Sequence, residues 1–297
     1  MDLNRLRLFS AVAQHGSYSR AADALDLSQP SVSVQVHQLE RSLGAYLFFQ
    51  DGRKLHLTEE GMLLLGYAEQ IFALEESAER AVLELSNLDR GHLLVGASYT
   101  IGNYMLPPIL REFQQRYPSV ELTLEMGNTL QMQNRIVDNE LDIAFVGRQL
   151  VNPLLNIAPY SMDNLVVIAP ANHPLGNRSL VSVQELSEEP FVIREKGSAT
   201  RDLVEGRMHA LGTDYKVAME AEGPEAVKQA VAAGLGVSII SRQAVEWETK
   251  AGRLSLVNVP DLGLRRQLYQ VHTKGRPVSR AAEAFLGLVT EHELLSA

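Results

Sequence analysis

Three short stretches of this 297-residue chain bring hydroxyls, glycines and arginines together: Ser98-Tyr99-Thr100-Ile101-Gly102, Gly147-Arg148 and Gly197-Ser198-Ala199-Thr200-Arg201. Hydroxyls beside backbone N–H groups that no carbonyl has claimed can hydrogen-bond an oxyanion, and a guanidinium can balance its charge. The chemistry suited to Ser98, Thr100, Ile101, Gly102, Gly147, Arg148, Ser198, Thr200 and Arg201 is therefore binding of a small oxyanion or carboxylate. Any one of these Ser or Thr residues reads equally well as a helix N-cap. Three loops of one kind favour a shared ligand, provided the fold makes them converge.

A second set lies near the N-terminus. On a helix turning about 100° per residue, Pro30, Val34, His37 and Arg41 share one face, flanked by Ser31, Ser33 and Gln38. These side chains are small or polar, as a helix entering the DNA major groove requires. Arg53 and Lys54 follow at the tip of a short hairpin. They are two of only six basic residues before position 60, and phosphate contact would suit them.

Other chemistries find little support. The chain has no cysteine, which excludes disulfides, thiolate-bound zinc and cysteine nucleophiles and fits a reducing compartment. His92, His173 and His272 are scattered without metal-ligand spacing. Gly234-Leu235-Gly236 lacks the further glycine and acidic partner of a dinucleotide site and reads as a turn. No metal, cofactor or catalytic residue is expected.

Both sets need elements to hold them. Leu6, Phe9 and Ala13 mark a first helix ending near Gly16. Ser17 can cap a second helix carrying Ala21, Ala22 and Leu25, and Ser28 a third with Pro30 in its first turn. Val32, Val36, Leu39 and Leu43 form the apolar stripe of that third helix, which Gly44 ends. Leu47-Phe48-Phe49 reads as a strand, Gln50 to Arg53 as a turn, and Lys54 to Leu57 as the return strand with Leu55 and Leu57 inward. From Glu59 to Leu88 a long helix repeats Leu64, Tyr67, Ile71, Leu74, Ala78, Ala81, Leu85 and Leu88 at alternating spacings of three and four, a heptad stripe that calls for pairing with a second copy.

Beyond Gly91 strands and helices alternate: strand His92 to Ala97, helix Tyr104 to Tyr117, strand Val120 to Met126, helix Thr129 to Asp138 and strand Leu141 to Val146. A parallel sheet covered by helices on both faces follows. A second unit has strands near Leu165 to Ala169, Phe191 to Arg194, Val217 to Ala221 and Val237 to Ile240, with helices from Arg201 and Pro224. A strand near Arg266 to His272 and a helix from Ala281 to Leu295 are expected to return to the first. Two such lobes leave a cleft, and in open α/β sheets ligands bind beyond the carboxyl ends of strands.

Charge argues for caution about DNA, since the net charge is −9 and phosphate binding usually needs a basic surface. Residues 1–58 carry six basic and five acidic residues, whereas 59–90 carry two and eight. The head of the chain is thus nearly neutral. Hydrophobic residues make up 45%, enough for folded domains, and no apolar run approaches a membrane span. Without the pattern of a signal peptide at its start, the chain is expected in the cytoplasm.

The residues Leu6 and Phe9, Gly16-Ser17, Ala21-Ala22 with Leu25, Leu27-Ser28-Gln29-Pro30-Ser31-Val32-Ser33, Leu39-Glu40, Leu43-Gly44, Leu47-Phe48 and Leu57-Thr58-Glu59 with Gly61 resemble the LysR family of regulators. The resemblance implies that Gln29, Pro30, Ser33 and Val34 read base edges or adjacent backbone and that Arg53 lies along the minor groove or phosphates. Val34 and Gln50 depart from it, each standing where an arginine is common. The resemblance also implies dimerisation through the linker helix, frequent assembly into tetramers, and an effector domain similar to periplasmic solute-binding proteins. Gly96-Ala97-Ser98, Thr100 to Tyr104, Leu106-Pro107 and Glu195-Lys196-Gly197-Ser198 with Thr200-Arg201 look like the branch regulating sulfur assimilation and carbon fixation. Sulfite, sulfate or a phosphorylated or carboxylated metabolite is the effector it implies.

The expected architecture is α/β: a winged helix-turn-helix at 1–58, a linker helix at 59–90, and a two-lobed effector domain at 91–297, with lobe I near 91–161 and 267–297 and lobe II near 162–266. The expected DNA contacts are Gln29, Pro30, Ser31, Ser33, Val34, His37, Arg53 and Lys54. Expected partners are double-stranded promoter DNA, further copies of the chain and the small anion, with RNA polymerase a further candidate. A free solute-binding protein is the rival reading, but it would need an export signal and no helix-turn-helix.

Overall fold

The computed structural model describes residues 2–52, 54–86, 91–275 and 277–296 and separates into two compact units, Met1–Glu79 and Arg80–Ala297. In the first, Asp2 caps helix α1 (Leu3–His15) and Gly16 ends it at φ +59°, a left-handed turn that glycine adopts without steric cost. Ser17 caps α2 (Tyr18–Ala24). Helix α3 (Gln29–Leu43) follows, then strands β1 (Phe48–Asp51) and β2 (Lys54–Leu57), paired antiparallel from Phe48↔Leu57 to Asp51↔Lys54. Helix α4 (Glu59–Ser86) leads out of the unit.

Leu6, Phe9, Val12, Val32, Val36, Leu39 and Leu47 are buried together, each large side chain contributing about 1.5–3 kcal/mol by leaving water. Several details differ from expectation. Val12, not Ala13, completes the α1 stripe. Leu25 and Leu43 end their helices exposed. Ser28 sits at the N-cap of α3 without a side-chain capping bond, because Pro30 has removed one of the N–H groups it would accept. Gln50 and Asp51 extend the first wing strand, which leaves Gly52 to start the turn.

In the second unit, β3 (His92–Ser98), β4 (Glu121–Gly127) and β5 (Ile143–Val146) form a parallel set ordered β4-β3-β5. Between them come α5 (Tyr99–Tyr104), α6 (Leu106–Arg116) and α7 (Thr129–Val137). The helix expected from Tyr104 to Tyr117 is α6, and a short helix that the pattern did not announce, α5, precedes it. Pro107 and Pro108 lack the N–H groups that would continue α5, so the chain restarts at Leu106.

Strand β6 (Leu155–Pro170) runs through both lobes. Lobe II then holds α8 (Val183–Ser187), β7 (Pro190–Arg194), α9 (Ala199–Ala210), β8 (Lys216–Ala221), α10 (Gly223–Ala232), β9 (Ser238–Ser241), α11 (Glu246–Lys250) and β10 (Leu254–Val257). Strand β11 (Arg265–Thr273) returns to lobe I, and α12 (Arg280–Ser296) packs Ala282, Phe285 and Leu288 into its core beside Phe113 and Phe145.

Residues Leu155–Asn164 of β6 pair antiparallel with β11, whereas Leu165–Pro170 pair with β9 and β10. Strands β7 and β8 are parallel, and an isolated bridge, Phe191↔Val237, ties β7 to the residue just before β9. The first half of β6 was not legible from its pattern, since Pro159 interrupts it. The β6–β11 register shifts beside that proline, which is how a sheet tolerates one. No helix among the described residues is long and apolar enough to cross a membrane.

Candidate functional site

The residues expected to contact DNA lie on the surface face that their periodicity requires. Gln29, Pro30, Ser31, Val34, His37 and Arg41 are exposed on α3 and Ser33 is half-buried, while Lys54 is exposed on β2. Arg53 lies outside the described residues. His37 is not unattached: its Nδ1 lies 2.8 Å from Glu40 Oε2. Glu40 is buried, and its other oxygen accepts the Leu47 N–H at 2.8 Å. This carboxylate, which sequence reasoning missed, ties the end of α3 to the start of the wing. Burial, helped by Glu40, pushes the Tyr18 hydroxyl beside it up to about 12. In α1, Arg5 bonds Gln35, and Arg7 pairs with Glu75 at 2.6 Å and stacks over Phe72.

In α4 the heptad stripe divides. Leu64 and Ile71 pack against the three-helix core of their own unit, as do Leu65, Ala68 and Phe72. Leu63, Tyr67 and Leu74 remain exposed, and so does Ala78. The side chains of Ala81 and Leu85, and the whole of Leu88, lie outside the described residues.

In the second unit the strand ends do converge. Ser98 and Gly127 are register partners, and Ala97 pairs with Phe145, so Gly147 opens at the same edge of lobe I. Arg194 and Ala221 are register partners at the corresponding edge of lobe II. Contacts join the two edges on both sides of the cleft. Asn128 Nδ2 donates to Lys196 O at 3.2 Å and Leu130 N to Gly197 O at 3.3 Å. On the other side Tyr99 Oη donates to Glu222 at 2.7 Å and Tyr104 Oη to Glu225. Burial and the Glu222 bond push the Tyr99 hydroxyl up to about 12.

The stretch 98–102 is not a loop. Helix α5 begins at Tyr99, which puts Ser98 at its N-cap position, and Ser198 holds the same position on α9. Both serines are buried, yet neither side chain caps its helix. Thr100 and Thr200 are buried two residues further on, in the first turn of each helix. Ile101 belongs to the lobe I core, and Gly102 backs onto Met126, so these two are turned from the cleft. Gly147 N donates to Thr129 Oγ1 at 3.3 Å. A Cβ on Gly147 would stand 3.0 Å from both Ala199 Cβ and Arg266 Nη1; only glycine fits that approach without displacement.

The two arginines expected to attract an anion each have carboxylate partners. Arg148 pairs with Asp202 across the cleft mouth at 3.4 Å. Arg201 bonds Glu205 at 2.7 Å, Glu220 at 2.6 Å and the Arg194 carbonyl at 3.2 Å. Sequence reasoning missed the buried pair instead: Arg266 Nε and Nη2 donate to Asp163 Oδ2 at 2.9 and 2.8 Å, and Arg266 Nη1 donates to Thr200 Oγ1 at 3.0 Å. Asp163 Oδ1 accepts from Ser241 at 2.7 Å. Burial lowers the Arg266 guanidinium from its ordinary value against the pull of Asp163. Arginine nevertheless stays charged in proteins.

Comparison with known proteins covers nearly the whole chain. Residues 3–62 match the family described as bacterial regulatory helix-turn-helix protein, lysR family, and residues 86–293 match the LysR substrate binding domain. The HTH-type transcriptional activator CmpR of Synechocystis sp. is 35% identical over 291 residues, 98% of this chain and 95% of that protein. The RuBisCO operon transcriptional regulator of Allochromatium vinosum is 38% identical over 285 residues, covering 96% and 94%. Among solved structures, the regulatory domain of Synechocystis CcmR in complex with 2-PG aligns with 69% of this chain and 98% of its own length, at 32% identity and a TM-score of 0.65.

Proposed function

The chain belongs to the LysR family of transcriptional regulators, and on that premise we propose that it reads promoter DNA with α3 and the wing and answers to a small anion held between the lobes of its effector-binding domain. The observation that carries the anion reading is the pair of buried serines, Ser98 and Ser198, whose hydroxyls do not cap the helices they begin. An N-cap serine ordinarily gives its oxygen to its own helix. Two that do not, at the strand ends bordering one cleft, are free to serve a ligand together with Thr100 and Thr200. Hydroxyl donors at helix starts favour negative charge.

The CcmR domain is bound to 2-PG and a relative regulates the RuBisCO operon. 2-Phosphoglycolate is therefore the first candidate here, ahead of sulfite and sulfate, and genes of carbon fixation are the first candidate targets. We assign DNA contact to Gln29, Pro30, Ser31, Ser33, Val34, His37 and Lys54, with Arg53 assigned on sequence alone. The division into reader (1–58), linker (59–90) and effector domain (91–297) is part of the same reading. So are pairing through the exposed stripe of α4, assembly into a tetramer, and work in the cytoplasm, where bacterial promoters are. A solute-binding protein would leave residues 3–62 without a use.

Thermal unfolding of the full chain with sulfite, sulfate and 2-phosphoglycolate tests the anion. At least one should raise the midpoint, and Thr100→Val or Ser198→Ala should weaken that ligand by about 2- to 10-fold, the worth of one neutral hydrogen bond. Stabilisation unchanged in both variants would remove the assigned site.

A further inference from the structure

The cleft arginines that sequence offers to an anion each already have a carboxylate. Arg148 has Asp202 and Arg201 has Glu205 and Glu220. Arg194 bonds both oxygens of Glu195, at 2.7 and 2.8 Å. Arg266 differs from Arg148 and Arg201 in burial, and from the equally buried Arg194 in reaching a hydroxyl, that of Thr200, as well as a carboxylate. Its side chain is 7% exposed. A guanidinium carries five N–H groups, and three of them meet acceptors: Nε and Nη2 on Asp163 Oδ2, Nη1 on Thr200 Oγ1. One hydrogen on Nη1 and one on Nη2 have no acceptor among the described residues. Buried donors of a charged group are costly to leave unmatched.

The surroundings of Nη1 point toward the cleft. It lies between Thr200, in the first turn of α9, and Gly147, just past the end of β5, where a Cβ would stand 3.0 Å from Nη1 and so the backbone comes close to the guanidinium. Thr200 accepts from Arg266, so its own proton is free to donate. Asp163, held in turn by Ser241, fixes the guanidinium from behind.

Building on the anion reading above, we propose that Arg266 is the cation that holds the effector: Nη1 donates to the ligand's charged head beside Gly147 and orients the Thr200 hydroxyl as a second donor. The matching ligand is a compact oxyanion such as a phosphate monoester, sulfate or carboxylate. Arg148 and Arg201 then serve the lobes and not the ligand.

The test is calorimetric titration of the full-length chain with 2-phosphoglycolate and with sulfate. Arg266→Gln should weaken the better of the two by about 10- to 100-fold, the range for hydrogen bonds to a charged group. Arg266→Lys, which keeps the charge and loses the fork, should recover part of that loss. Gly147→Ala should also weaken binding while leaving the Asp163 pair intact, and it decides the matter if Arg266→Gln does not fold. Folded Arg266→Gln or Gly147→Ala protein that binds within twofold of wild type would overturn the role of Arg266 alone. Wild-type protein that takes up neither anion would overturn the anion reading together with it.

Discussion

Lys54 stands exposed on the return strand of the wing, in a head with almost no net charge and with Arg5 and Arg7 already engaged. Each remaining cation therefore matters more than it would on a basic surface. Lys54→Ala should weaken binding to every DNA sequence about equally and lower the slope of log affinity against log salt by about one, as loss of one phosphate contact does; an unchanged slope would place Lys54 off the DNA. At this scale sequence pointed to hydroxyls and to Arg148 and Arg201, and gave no sign of the buried Arg266–Asp163 pair. Ser98, Thr100, Ser198 and Thr200 sit at the starts of helices, where local pattern draws the eye. Arg266 and Asp163 are 103 positions apart, and no periodicity connects them. Glu40 was hidden for a similar reason, since its partner Leu47 lies beyond the helix end.

The helices and strands were more legible than their ends, because burial imposes a period that a single side chain does not have. The α3 stripe of Val32, Val36 and Leu39 is an instance. What was not legible came from prolines acting against the pattern: Pro107 and Pro108 divide α5 from α6, and Pro159 sits beside the irregularity in β6. The linker helix shows another limit, since one apolar stripe can serve two partners. Leu64 and Ile71 face their own unit, whereas Leu74 is 52% exposed beside exposed Tyr67 and Leu63. Leu74→Glu should shift the chain from dimer toward monomer in sedimentation and weaken its hold on a two-half-site operator, because paired readers act together. A dimer of unchanged stability would assign the stripe another role.

For the whole effector unit, bonds on both sides of the cleft hold the lobes in one arrangement, and their response to pH is calculable in sign. Tyr99 is pushed up to about 12 by burial and its bond to Glu222. A raised value means that the stability from this clasp is complete below the ordinary tyrosine value of about 10 and is lost as pH rises toward about 12. Tyr99→Phe should therefore lessen the fall in thermal midpoint between pH 9 and about 11; an identical fall would show that this clasp carries no stability. The two-lobed plan was readable from alternating strands and helices, but the crossing within β6 and the pairing of the cleft arginines were not, since both depend on residues brought together only by folding. Regulation requires that closure around an anion change the grip on DNA by a coupling of about 1–3 kcal/mol. The most direct measurement is fluorescence anisotropy of the full-length chain on a genomic fragment it has itself selected, with and without saturating 2-phosphoglycolate. The expected result is a shift in apparent Kd of at least about fivefold, which Ser198→Ala combined with Thr100→Val moves to higher anion concentration. Superimposable curves, under conditions where calorimetry shows the anion bound, would contradict it.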